Sequence, residues 1–116
     1  VPDHLGRLAV RTHPLNRTTP CVLYGEFDLP AGKKSTLRVT VSHDPRGDWT
    51  LIAKVNGQPQ IKGQVIGKDT TTDGWVTHVV DLSRFAGTRV RIELLNQPSD
   101  WSWEFGYWGS VQIRSE

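Results

Sequence analysis

The chain reads as an all-β protein, an antiparallel two-sheet β-sandwich of jelly-roll type with about eight strands. Three observations lead there. Apolar and polar residues alternate with period two in run after run, turn signals separate the runs, and no window carries a sustained helical period. At 116 residues, the chain is expected to form one domain spanning 1–116 that buries about two-thirds of its unfolded surface.

The elements follow in order. Residues 8–11 and 22–29 are short candidate strands, and Pro30-Ala31-Gly32 turns the chain into Ser35–His43. There Leu37, Val39 and Val41 share one face, with Arg38, Thr40 and Ser42 on the other. His43-Asp44-Pro45-Arg46-Gly47-Asp48 is a polar loop. Trp49–Val55 then places Trp49, Leu51, Ala53 and Val55 together, the pattern of a core face. Asn56-Gly57, a strong hairpin signal, joins it to residues 60–66. Asp73-Gly74 precedes residues 75–82, whose Val76, Val80 and Leu82 share a face. Asp81-Leu82-Ser83-Arg84-Phe85-Ala86-Gly87 reads as one helical turn, capped by Ser83 and ended by Gly87. Residues 88–95 set Val90, Ile92 and Leu94 against Arg89, Arg91 and Glu93.

The last strand is expected to begin in the densest aromatic segment, Asp100-Trp101-Ser102-Trp103-Glu104-Phe105-Gly106-Tyr107-Trp108-Gly109, and to continue through 109–114. Extended, it would put Trp101, Trp103, Phe105 and Tyr107 on one face and Trp108 on the other. Trp103, Phe105 and Tyr107 fit a core. Trp101 fits an exposed loop junction, and an outward Trp108 would be a flat platform. Glu104, between two tryptophans, is a candidate for burial beside Arg89 or Arg91.

Composition narrows the function. A net charge of +2 with both signs scattered, and no aromatics interleaved with the basic residues, argues against nucleic-acid binding. The single cysteine, Cys21, excludes an internal disulfide and a cysteine-based metal site, and its apolar run suits a buried thiol. No apolar stretch approaches a membrane span. The histidines His4, His13, His43 and His78 lack metal-ligand spacing. Asp100 and Glu104 would lie about 13 Å apart along a strand, too far for glycoside hydrolysis. No nucleophile or phosphate-cradling motif occurs, so the domain is expected not to be an enzyme. The start at Val1-Pro2-Asp3, without Met, is expected to mark a piece of a larger protein.

Several pieces taken together carry a resemblance. They are Leu29-Pro30-Ala31-Gly32, Val55-Asn56-Gly57, Trp75 leading to Asp81-Leu82-Ser83-Arg84-Phe85-Ala86-Gly87, Val90-Arg91-Ile92-Glu93-Leu94, and Trp101 to Gly109. Over residues 8–114 the chain resembles the galactose-binding-like β-sandwich superfamily, which includes many bacterial carbohydrate-binding modules. The resemblance implies a non-catalytic, lectin-like accessory module. It would hold a larger secreted, periplasmic or cell-envelope protein near a polysaccharide or glycan. The alternative within the same fold is a structural or protein-interaction module packing against its parent chain. Such domains bind ligand in loops at one end. On that basis Trp101, Trp108, Trp49 and Trp75 are expected to stack on sugar rings, with Arg46, Asp48, His43 and Asp100 supplying hydrogen bonds. A structural calcium is a further implication, with Asp28, Asp44, Asp48, Asp100 and Glu104 as oxygen donors, though no compact acidic loop motif is present.

Overall fold

A computed structural model describes residues 3–99 and 102–116. The described residues form ten strands: β1 (Asp3–His4), β2 (Arg7–Leu8), β3 (Val10–Thr12), β4 (Cys21–Asp28), β5 (Ser35–His43), β6 (Trp49–Val55), β7 (Gln58–Ile66), β8 (Trp75–Asp81), β9 (Arg89–Gln97) and β10 (Gly106–Ser115). Strands β1 and β2 make a small ribbon, and the other eight form two antiparallel sheets, in the orders β3-β10-β5-β8 and β4-β9-β6-β7. Each sheet interleaves early and late strands in the order of a jelly roll, as expected.

The core lies where the alternating faces meet. Leu37, Val39 and Val41 of β5 face Trp49, Leu51, Ala53 and Val55 of β6, together with Val90, Ile92 and Leu94 of β9. Each of these valine, leucine and isoleucine side chains contributes about 1.5–3 kcal/mol on leaving water. A one-residue slip would turn the whole set toward solvent, so burial itself specifies the register.

The registers also sort the loops by end. Thr12 pairs with Gly106, Gly106 with His43, and Ser42 with Trp75. In the other sheet Cys21 pairs with Asn96, Thr50 with Gln97, and Trp49 with Ile66. Residues 13–20, 44–48, 67–74, 98–99 and 102–105 therefore cluster at one end. Segments 29–34, 56–57 and 82–88 occupy the other, where Lys34 and Glu116 exchange two backbone hydrogen bonds of 3.0 and 2.9 Å.

Two local readings are corrected. The last strand begins at Gly106, not within residues 102–105. Ser102 and Trp103 form a bend, and Trp103 takes the left-handed conformation (φ 55°). The expected helical turn is a 3-10 turn, Ser83–Phe85, whose N-cap is Leu82 rather than Ser83. Its start is held instead by Asp81 Oδ1, which accepts from the Ser83 N–H (2.9 Å) and hydroxyl (2.6 Å). Gly87, at φ 76°, ends the turn in the conformation glycine adopts without strain.

Candidate functional site

The two loops singled out from the sequence meet at the clustered end. A methyl group on Gly47 would run into the carbonyl oxygens of Ser102 and Trp103, so only glycine lets the β5–β6 loop lie against the β9–β10 loop. The Thr50 and Ser99 hydroxyls, 2.7 Å apart, tie the loop bases together. Beneath them Glu104 is fully buried, and its Oε1 accepts the Ser99 N–H at 2.6 Å. The expected pairing of Glu104 with Arg89 or Arg91 is therefore not formed. Arg89 instead pairs with Glu26 and Asp28 across β4, and Arg91 approaches Glu93.

Arg46 organises the rim. Its guanidinium donates to both carboxylate oxygens of Asp44 at 2.9 Å, and its backbone N–H donates to Oδ1 at 2.9 Å. These bonds hold the Asp44 carboxyl below the ordinary carboxylate range, burial opposing them. The same guanidinium stacks 3.5 Å from the centre of the Trp103 ring. Trp103 is 45% exposed, so its indole is both open to solvent and held in place.

Two adjoining clefts open beside this rim. The first, about 260 Å³, is lined by Arg46, Asp48, Lys68, Asp69 and Thr70. The second, about 310 Å³, is lined by Leu5, His43, Lys68, Thr71 and Asp73. Pro45 and Lys68 border both. The β7–β8 loop that walls them is folded by its own hydroxyls: Thr70 donates to the Val65 carbonyl at 2.6 Å, and Thr71 to the Gly67 carbonyl at 2.8 Å.

The residues expected to bind ligand divide sharply. Arg46 and Asp48 line a cleft. His43 also borders one, but it is buried, and its Nδ1 lies 2.8 and 2.9 Å from the carbonyl oxygens of Asp44 and Gly47. It shapes the loop rather than reaching outward. Asp100 and Trp101 lie outside the described residues.

Trp49 and Trp108 do not stack on anything from solvent. They are 0% and 4% exposed, packed 5.2 Å apart between the sheets. Each indole N–H has an internal acceptor at 2.9 Å, the Ser42 carbonyl for Trp49 and the Thr12 hydroxyl for Trp108. Buried tryptophan needs such a partner, and Asn96 Nδ2 completes the network with 3.2 Å to Thr12 Oγ1 and 3.1 Å to the Glu104 carbonyl. Trp75 lies half-buried on the outer face of its sheet. Its ring takes the space a Gly109 side chain would need, 2.6 Å away, with His4 at its edge and Arg7 over it. The β1–β2 ribbon thus covers the ring, and His4 stacks on Tyr107 at 3.6 Å.

Trp103, Lys68, Asp69 and Thr70 were not singled out as site residues. Signals existed: the polar run Lys68-Asp69-Thr70-Thr71-Thr72-Asp73 marks a loop, and the turn formers Ser99, Asp100 and Ser102 flank the tryptophans. Of the expected calcium donors, Asp100 lies outside the described residues, and the others are engaged elsewhere or apart. Asp28 serves Arg89, Asp44 serves Arg46 and Glu104 serves Ser99, and among the described residues no three acidic, His or Cys side chains converge. Those described do not fit a calcium site.

A different cavity lies on the flank. About 450 Å³ in volume, it runs between β4 and the second half of β10, with an apolar lining that includes Leu23, Phe27, Ile92, Leu94, Val111 and Ile113.

No family model matches the chain, and no curated protein matches it. Among solved structures it is similar to one described as "EclA C-terminal domain; sugar-binding protein". The TM-score is 0.73 at 14% identity, over 93% of this chain and 78% of that one. At such an identity the likeness is one of fold.

Proposed function

We propose that this chain is a non-catalytic carbohydrate-binding module of the galactose-binding-like type, with its glycan site at the loop end. The observation that carries the reading is Trp103: a solvent-open indole stacked on Arg46, which itself lines a polar cleft. A sugar presents a flat C–H face to an aromatic ring and a ring of hydroxyls that both donate and accept. Trp103 offers the first partner. Arg46 and Lys68 offer donors, Asp48 and Asp69 acceptors, and Thr70 completes the wall. The sugar-binding description of the structural neighbour supports the same class.

The module is read as part of a larger extracytoplasmic protein that it brings to a polysaccharide, following the family resemblance. Among the described residues no helix is long and apolar enough to cross a membrane.

The test is a glycan and insoluble-polysaccharide panel, with Trp103→Ala beside the unaltered protein. Binding should weaken at least about tenfold, equivalent to roughly 1.4 kcal/mol, with circular dichroism unchanged. A folded domain that binds nothing on the panel would reject the reading.

A further inference from the structure

The flank cavity exists because β3 is short. Strand β3 pairs with β10 only from Gly106 to Trp108. Among the described residues, β10 from Gly109 onward is bonded on one side alone, to β5. Across the gap, β4 is bonded, among the described residues, only to β9. The side chains between these edges face inward. Val111 lies opposite Val39 and Ile113 opposite Leu37, both fully buried partners. Yet Val111 is 47% exposed and Phe27 44%, because no strand of the described residues lies over them. The position is that of a full-length β3, whose line the described chain leaves by turning into the β1–β2 ribbon.

We propose that this groove is the docking site of an extended peptide segment from a protein partner. The segment adds to the free edge of β10, antiparallel to it and in line with β3. Its alternate side chains are apolar and enter the groove, and an acidic residue stands opposite Arg114.

Two features coincide to select a peptide strand. A sheet edge directs backbone N–H and C=O groups outward at every second residue, and only another backbone matches that spacing. The lining inside that edge is apolar at the matching period. An acyl chain would fill the lining and leave the edge unmet, while a glycan would do the reverse. The edge also lacks the usual protection, since residues 109–115 contain neither proline nor lysine. Its one charge, Arg114, stands on the solvent face opposite Thr36 and forms no ion pair among the described residues. An incoming acidic side chain at that register would meet it across the strands.

The probe is an acetylated, fluorescein-labelled octapeptide of valine and isoleucine alternating with threonine, with one aspartate third from its N-terminus. A scrambled peptide of the same composition is the control. Fluorescence anisotropy should show saturable binding at least tenfold tighter than the control. Amide resonances of residues 109–115 should shift and gain protection from hydrogen exchange, while those of the 44–48 and 67–74 loops stay in place. Val111→Lys, at a half-exposed position, should abolish binding. Arg114→Glu, wholly on the solvent face, should reverse the preference toward a peptide carrying lysine in place of aspartate. The proposal fails if neither peptide binds saturably, or if the shifts map to the loop end. It fails equally if sedimentation shows a dimer of this chain that Val111→Lys dissolves, or if laurate occupies the groove and the peptide does not. Glycan binding plays no part in these readouts.

Discussion

Arg46 serves two partners at once, and the loop end depends on the arrangement. Its bidentate contact with Asp44 fixes the guanidinium plane, and the plane in turn supports Trp103. Because the Asp44 carboxyl titrates below its ordinary value near 3.8 in the folded chain, the stability it contributes is fully present above that value. That stability is lost as pH falls through the lowered folded value. Urea unfolding at pH 5 and pH 2.5 should therefore show a smaller acid loss in Asp44→Asn than in the unaltered protein. The buried indoles make a separate prediction. Trp108→Phe keeps most of the ring but leaves the buried Thr12 hydroxyl one donor short. It should cost about 1–3 kcal/mol, measured by denaturant midpoint, and leave glycan binding intact. Trp49→Ala removes a fully buried ring and should cost about 3–5 kcal/mol.

At the scale of elements, glycine and histidine carry the tests. Gly47→Ala pushes the β5–β6 loop off the Ser102 and Trp103 carbonyls, backbone atoms that cannot swing aside. It should lower stability by about 1–3 kcal/mol and weaken glycan binding in the same variant. His78 sits on β8 opposite fully buried Val39, and burial lowers its pKa below 6.5. The folded chain then resists protonation more than the unfolded one, so stability present above 6.5 declines as pH falls through the lowered folded value. Unfolding at pH 7.5 and pH 5 should expose that decline, and His78→Leu should flatten it. Strands such as Ser35–His43 and Trp49–Val55 were legible in the sequence because one face is wholly buried, which imposes strict alternation. Residues 102–105 misled for the opposite reason. Aromatics spaced by two mimic a strand, but Trp103 in a left-handed bend breaks the alternation before β10 begins. Of the candidate site, the loops and Arg46 could be read from residue type. The exposure of Trp103 and the burial of Trp108 could not, since both follow from that bend.

For the molecule as a whole, the jelly-roll order places chemically different surfaces on different sides. The polar clefts occupy one end, the open apolar groove runs along a flank, and the β1–β2 ribbon lies over the outer face beside the clefts. No local pattern announces the groove, because it arises from how few residues of β3 pair with β10. The two surfaces should be independent: saturating glycan should leave octapeptide affinity unchanged within twofold, and Trp103→Ala should leave it unchanged too. The backbone pair between Lys34 and Glu116 has a practical counterpart in how the protein is anchored. It secures Glu116 at the end away from the clefts. A biotin added after Glu116 would therefore hold the molecule upright on a streptavidin sensor, with the clefts directed into solution. The same tag joined ahead of Asp3 would lay the ribbon side against the surface and crowd the rim. Comparing the two orientations with a large, insoluble polysaccharide fragment would report which way the binding face looks.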